Sequence, residues 1–179
     1  VIYGTSSVEL TEIILEVAEK IGLRVLAGYV CMDQNIESIC PGLQTSSEEA
    51  VRSTRGLLEK YGKEKIFACD RFPIAVGSHT RQQISNDARE HGALFETHVD
   101  EADGKDGEKD IHEKIYGTRS IIGTLDADGV FASGSRVGLA HGIHTNDEEM
   151  QLIARRIQDG CKVFIRACPN SNAQLASHF

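Results

Sequence analysis

The chain is 179 residues long and 40% hydrophobic, with a formal net charge of -8 and a pI near 5.3, enough length and apolar content for a single globular core. The acidic balance and the lack of any Lys/Arg-rich run remove the electrostatic footprint of a nucleic-acid binder. No apolar stretch approaches the roughly 20 residues of a membrane helix, and Val1 to Thr5 lack the charged and long apolar regions of a signal peptide, so a soluble cytoplasmic protein is expected.

Val1 to Thr5 reads as a strand, followed by an amphipathic helix from about Val8 to Ile21 and a strand from Arg24 to Met32. Thr45-Ser46-Ser47-Glu48-Glu49 opens the next helix, with Ser46 and Glu49 spaced as a capping box; it runs to about Tyr61 and stops at Gly62. A strand at Lys65 to Cys69, a helix from about Thr80 to Glu90 ended by His91-Gly92, and a strand at Ala93 to His98 come next. The Gly-, Asp- and Lys-rich stretch Asp100 to Asp110 is a loop rather than a domain linker. Regular signals resume at Glu108 to Tyr116 and Ser120 to Leu125, then a strand at Arg136 to Ala140, a helix at Asp147 to Gln158 and a strand at Lys162 to Ala167.

Six strands separated by helices predict right-handed crossovers and an α/β parallel sheet, either doubly wound or part of an eight-stranded barrel. No Gly-x-Gly-x-x-Gly or Gly-Lys-Ser/Thr string occurs, which counts against a dinucleotide or P-loop enzyme. The five cysteines, Cys31, Cys40, Cys69, Cys161 and Cys168, are odd in number and contain no Cys-x-x-Cys pair, so reduced thiols are expected. Val1 opens inside a strand and Phe179 closes just past Cys-Pro-Asn-Ser-Asn, so the chain reads as a piece of something longer.

In either sheet type reactive groups gather at the carboxyl ends of strands. Those positions hold Cys31-Met32-Asp33, Asp70-Arg71-Phe72, His98-Val99-Asp100-Glu101, His141-Gly142-Ile143-His144 and Cys168-Pro169-Asn170. His98 and His141 end consecutive strands, close enough to share one zinc ion; each alone is equally a histidine satisfying a strand-end hydrogen bond. Glu101, three residues after His98, suits a carboxylate that moves protons beside a metal, though its surroundings also fit an exposed loop glutamate. Arg71 offers a planar fork and Phe72 a flat face to a heterocycle; a surface arginine and a core phenylalanine are the plainer alternatives.

The string Gly28-Tyr29-Val30-Cys31-Met32-Asp33-Gln34-Asn35 closely resembles the third-strand signature of guanine deaminases in the amidohydrolase superfamily. In the same order Asp70-Arg71-Phe72 resembles their Pro-Arg-Phe, His98 to Glu101 their His-x-x-Glu, Ala140-His141-Gly142 their Ala-His-Gly, and Cys168 to Asn172 their Cys-Pro-Asn-Ser-Asn. The His-x-x-Glu and Ala-His-Gly motifs are shared with triazine hydrolases and other deaminases, whereas Cys-Met-Asp with Arg-Phe points more narrowly to guanine.

The resemblance implies a (β/α)8 barrel of the TIM type with about six of its eight strands in this chain. Residues 1–179 would be the second to seventh strands of a single barrel domain, without the first strand, the eighth strand or a flanking β domain. It implies zinc-dependent hydrolysis of guanine to xanthine and ammonia in purine catabolism, with His98 and His141 as zinc ligands, Glu101 moving protons, and Arg71 and Phe72 holding the purine. A homodimer is the implied assembly. Asp70 stands at the family's usual Pro, where it would reorient the strand end or pair with Arg71, and Ala167 stands where relatives carry a His. The family's His-x-His pair and last Asp ligand are not found, so the chain by itself is expected to be inactive and poorly folded. The competing readings are an amidohydrolase acting on another aminated or chlorinated heterocycle, and a non-catalytic guanine-deaminase-like binding protein.

Overall fold

A computed structural model describes residues 1–37, 40–102, 105 and 107–175, and part of the loop expected at Asp100 to Asp110 therefore lies outside the described residues. In chain order the elements are β1 (Ile2–Tyr3), α1 (Val8–Lys20), β2 (Ala27–Cys31), α2 (Ser47–Tyr61), β3 (Ile66–Asp70), a 3-10 turn (Pro73–Ala75), α3 (Ser78–Glu90) and β4 (Phe95–Val99). They continue with α4 (Glu108–Tyr116), α5 (Ile121–Ala127), β5 (Arg136–His141), α6 (Asp147–Gln158), β6 (Lys162–Arg166) and α7 (Pro169–Leu175).

The strands form one parallel sheet in the order β1-β2-β3-β4-β5-β6. Strictly sequential order settles the choice left open by the sequence: a doubly wound sheet reverses its strand order at a switch point, and this sheet never reverses. It is an arc of an α/β barrel, six strands wide.

The helix-facing side of the arc carries the main core. Ala27, Tyr29, Cys31, Ile66, Ala68, Phe95, Val137 and Leu139 pack against Leu57, Leu58, Ile84, Ile121, Ile122, Leu125 and Ile153 from the helices. Alternate strand residues face the other way, as the two-residue period requires, and Val30, Phe67 and Cys69 build a second cluster there with Met32, Ile36 and Phe72.

Two glycines make room on that inner face. A Cβ on Gly28 would stand 2.5 Å from the Phe67 ring, and one on Gly138 2.5 Å from Glu96 Oε1. Their absence of side chain lets a large neighbour lie across the strand.

Local signals explain the helix ends. Ser46 Oγ accepts from Glu49 N at 3.2 Å and Gly62 closes α2 at φ 70°. The reciprocal capping box, with both arms made, forms at Asn146 and Glu149 of α6. Two expected strands are shorter than read: Val1 to Thr5 contracts to two residues and Arg24 to Met32 to five, because only Ala27–Cys31 finds partners on β3. Both edges of the arc expose apolar side chains, Leu10, Ile13 and Val17 on α1 with Ile21 just past its end, and Phe164 and Ile165 on β6. Among the described residues no helix is long and apolar enough to cross a membrane. All five cysteines are free thiols.

Candidate active site

Strand pairing sets the two histidines side by side. His98 is opposite Ala140 and Val99 opposite His141, so the rings come from adjacent positions on β4 and β5, with centroids 5.4 Å apart. His141 is at φ 69°, a left-handed conformation that a non-glycine residue adopts only when its surroundings impose it. That turn takes its ring out of the helix-facing row of Val137 and Leu139 and toward His98.

Each ring is oriented by an acceptor behind it. His98 Nδ1 lies 2.6 Å from the carbonyl oxygen of Arg71, and His141 Nδ1 lies 2.8 Å from Asn172 Oδ1. Facing acceptors, both Nδ1 atoms donate, which leaves each Nε2 as the outward nitrogen. A carbonyl that accepts from one ring nitrogen and so fixes the tautomer is the ordinary arrangement behind a metal-binding histidine. Burial pushes the His98 imidazole below its usual range, with His141 adding to the shift and the Arg71 carbonyl and Glu101 opposing it, and the neutral form is the one that binds metal.

Glu101 Oε1 is 3.1 Å from His141 Nε2 and 3.4 Å from Ser171 Oγ. With Nδ1 already donating, a carboxylate against Nε2 demands a proton or a cation between or beside them. The donor set therefore fits a metal ion held by His98 and His141. Among the described residues no group of three or more His, Cys, Asp or Glu side chains is arranged to hold one, and two nitrogens alone are fewer than the protein ligands of a catalytic zinc site.

Arg71 and Phe72 stay in contact on the inner face of the arc. Arg71 lines a cavity of about 380 Å³ together with Tyr3, Thr5, Val30 and Met32, and its Nη1 approaches Met32 Sδ at 3.5 Å. Phe72 packs into the inner cluster with Val30 and Met32, and the Arg71 guanidinium is 5.6 Å from the centre of its ring. A groove of about 500 Å³ between α2 and α3, lined by Arg52, Arg55 and His79, is on the outer surface.

Asp70 does not pair with Arg71. As the last residue of β3 it alternates with Cys69 and faces the helices, where its Oδ2 accepts from Arg81 Nε at 2.6 Å and its Oδ1 from Thr97 Oγ1 at 3.1 Å. Arg81 is fully buried and also engages Asp128, the carbonyls of Pro73 (2.7 Å) and Val76, and the Tyr116 hydroxyl.

Several participants were not singled out from the sequence. Tyr3 lies 4.4 Å from the His98 ring, centroid to centroid, and donates to Glu96 Oε2 at 2.7 Å, while Arg166 pairs with the other Glu96 oxygen. The Glu-x-His spacing of Glu96 and His98 was the available signal, since residues two apart on a strand share a face. Asn172 lay inside the Cys-Pro-Asn-Ser-Asn string without a role; α7 delivers it to His141.

The chain matches the amidohydrolase family over residues 2–179. It is 24% identical over 180 residues to guanine deaminase of Rattus norvegicus, which covers 98% of this chain and 37% of that protein. The crystal structure of guanine deaminase from C. acetobutylicum with bound guanine superposes with a TM-score of 0.80 at 22% identity, over 97% of this chain and 40% of that one. A triazine hydrolase variant superposes at 0.82 with 16% identity, over 99% of this chain and 39% of that one, so likeness in fold is shared across substrates. The chain thus spans a little over a third of the relatives it matches.

Proposed function

The chain belongs to the amidohydrolase family, and from that premise we propose that the protein carrying it is a zinc-dependent deaminase that hydrolyses guanine to xanthine and ammonia. The observation that carries the reading is the pair of neighbouring histidine rings whose Nδ1 atoms are both engaged, with the Glu101 carboxylate 3.1 Å from His141 Nε2. Zinc held there would supply a water acidified toward a pKa of about 7.

The protein side of the chemistry follows from these positions. His98 and His141 would hold the metal through their Nε2 atoms. Glu101 Oε1 takes a proton and returns it to the departing amine, a task its place beside His141 Nε2 suits. Arg71, on the wall of the 380 Å³ cavity, donates to the carbonyl edge of the purine, and Phe72 supports the guanidinium from behind. The six strands are the second to seventh of an eight-stranded barrel, and the remaining metal ligands come from outside residues 1–179. A cytoplasmic homodimer belongs to the same reading.

Ammonia release from guanine by the full-length protein, with metal content measured on the same sample, tests it. Turnover with bound zinc is the expected result. Zinc without guanine turnover, but with turnover of an aminated or chlorinated triazine, would assign a different heterocycle; neither zinc nor turnover would make the protein a non-catalytic relative.

A further inference from the structure

The first turn of α4 places a carboxyl group behind Glu101 that the functional reading leaves unused. Glu108 Oε2 accepts a hydrogen bond from Glu101 N at 2.9 Å, and Glu108 N donates to the carbonyl of Ala102 at 3.1 Å. The other oxygen, Oε1, is buried and finds no hydrogen-bond partner among the described residues. Asp100 and Glu101 face it from the end of β4, and Lys109 is beside it on α4. Lys109 Nζ is committed elsewhere, to the His144 carbonyl at 2.6 Å, Glu149 Oε2 at 3.3 Å and Asp100 Oδ1 at 3.4 Å. An unpaired buried oxygen near two carboxylates is a costly arrangement, and burial pushes the Glu108 carboxyl up to about 8.

What the arrangement secures is the peptide of Glu101. β4 ends at Val99, and Asp100 is at φ 52°, so the chain has turned out of the sheet before Glu101 and no ladder bond holds its N–H. The Glu108 oxygen takes the place of that ladder acceptor. With the backbone held there, the Glu101 side chain reaches His141 Nε2 at 3.1 Å.

We propose that Glu108 is a positioning residue for the deamination, its carboxyl oxygen holding the Glu101 backbone so that Glu101 Oε1 stands at His141 Nε2. The inference rests on the reading of Glu101 as the proton-moving group. An acceptor oxygen is what the role needs, and glutamine keeps one; methionine keeps the length and apolar stem and lacks the oxygen, so the pair isolates the hydrogen bond to Glu101 N.

The test compares E108M and E108Q with wild type in the full-length protein, reading amide hydrogen exchange at Glu101, kcat and KM for guanine, and bound zinc. In E108M the Glu101 amide exchanges at least about tenfold faster, where a held amide had been protected. kcat falls by about 10–100-fold, the loss typical of removing a hydrogen bond that holds a reacting group in place, with KM and zinc unchanged, and E108Q restores both exchange and kcat. Unaltered Glu101 exchange in E108M, or E108Q as impaired as E108M, overturns the role, and so does a loss confined to KM or zinc. A wild type that does not deaminate guanine would sink the functional reading alone, because the exchange comparison still decides whether Glu108 holds Glu101.

Discussion

Two clusters of charged side chains grow from the carboxyl ends of β3, β4 and β5, on opposite sides of the sheet, and they are finished to different degrees. On the helix side Arg81 spends its guanidinium on Asp70, Asp128, two backbone carbonyls and a tyrosine hydroxyl, at no solvent exposure. On the inner side His98 and His141 have each satisfied one nitrogen and left the other, with a carboxylate waiting at 3.1 Å from His141. Buried charge that is fully paired fixes how elements pack. Charge that is paired on one side only is open to a ligand, and the two meet at Arg71, whose preceding residue belongs to the closed cluster and whose carbonyl orients His98.

The largest effect is expected from breaking the closed cluster. R81M leaves Asp70 and Asp128 as uncompensated buried carboxylates, so unfolding in denaturant should lose about 3–5 kcal/mol. A loss under about 1 kcal/mol would mean that the pairing is not structural and that the contrast between the clusters fails.

Next comes N172A, directed at the open cluster. Removing the acceptor behind His141 Nδ1 frees the tautomer and the ring, and metal affinity should fall about 10–100-fold, or about 1.4–2.8 kcal/mol, with a much smaller change in unfolding free energy than R81M. Competition with a chelator of known affinity measures it. If N172A instead leaves metal binding intact and lowers stability as R81M does, the inner cluster is ordinary packing.

The closed cluster was also the less legible of the two. His98, Glu101 and His141 are close to strand ends, and strand ends are visible in apolar runs punctuated by glycine; the order of the motifs then pointed to the same residues. Arg81 sits in the first turn of α3 among polar neighbours, and only the packing of α3 against β3 and the end of α5 at Asp128 shows that it turns inward to Asp70 and Asp128. Asp70 read as a neighbour of Arg71 in sequence, yet successive strand residues point to opposite faces, which is why it meets Arg81 instead. α7 escaped because Cys-Pro-Asn-Ser-Asn carries turn-forming residues; Pro169 is its first residue, where a missing N–H costs nothing. The choice of a barrel arc over a doubly wound sheet depends on strand order, which is a long-range property that alternation of elements does not encode.

The smallest effect concerns Glu108, which belongs to neither cluster and whose carboxyl burial raises from an ordinary 4.5 to about 8. The folded protein then binds this proton more tightly than the unfolded chain does. The resulting stability is fully present below about 4.5 and is lost as pH rises through about 8. E108Q has no proton to lose, so its stability relative to wild type should be level in acid, improve between these values and level off above them. Thermal unfolding of both proteins across that range measures the difference. A difference that stays flat from pH 5 to 8 would mean that Glu108 is ionised throughout, and its unpaired oxygen would then join the open cluster as a third charge seeking a cation.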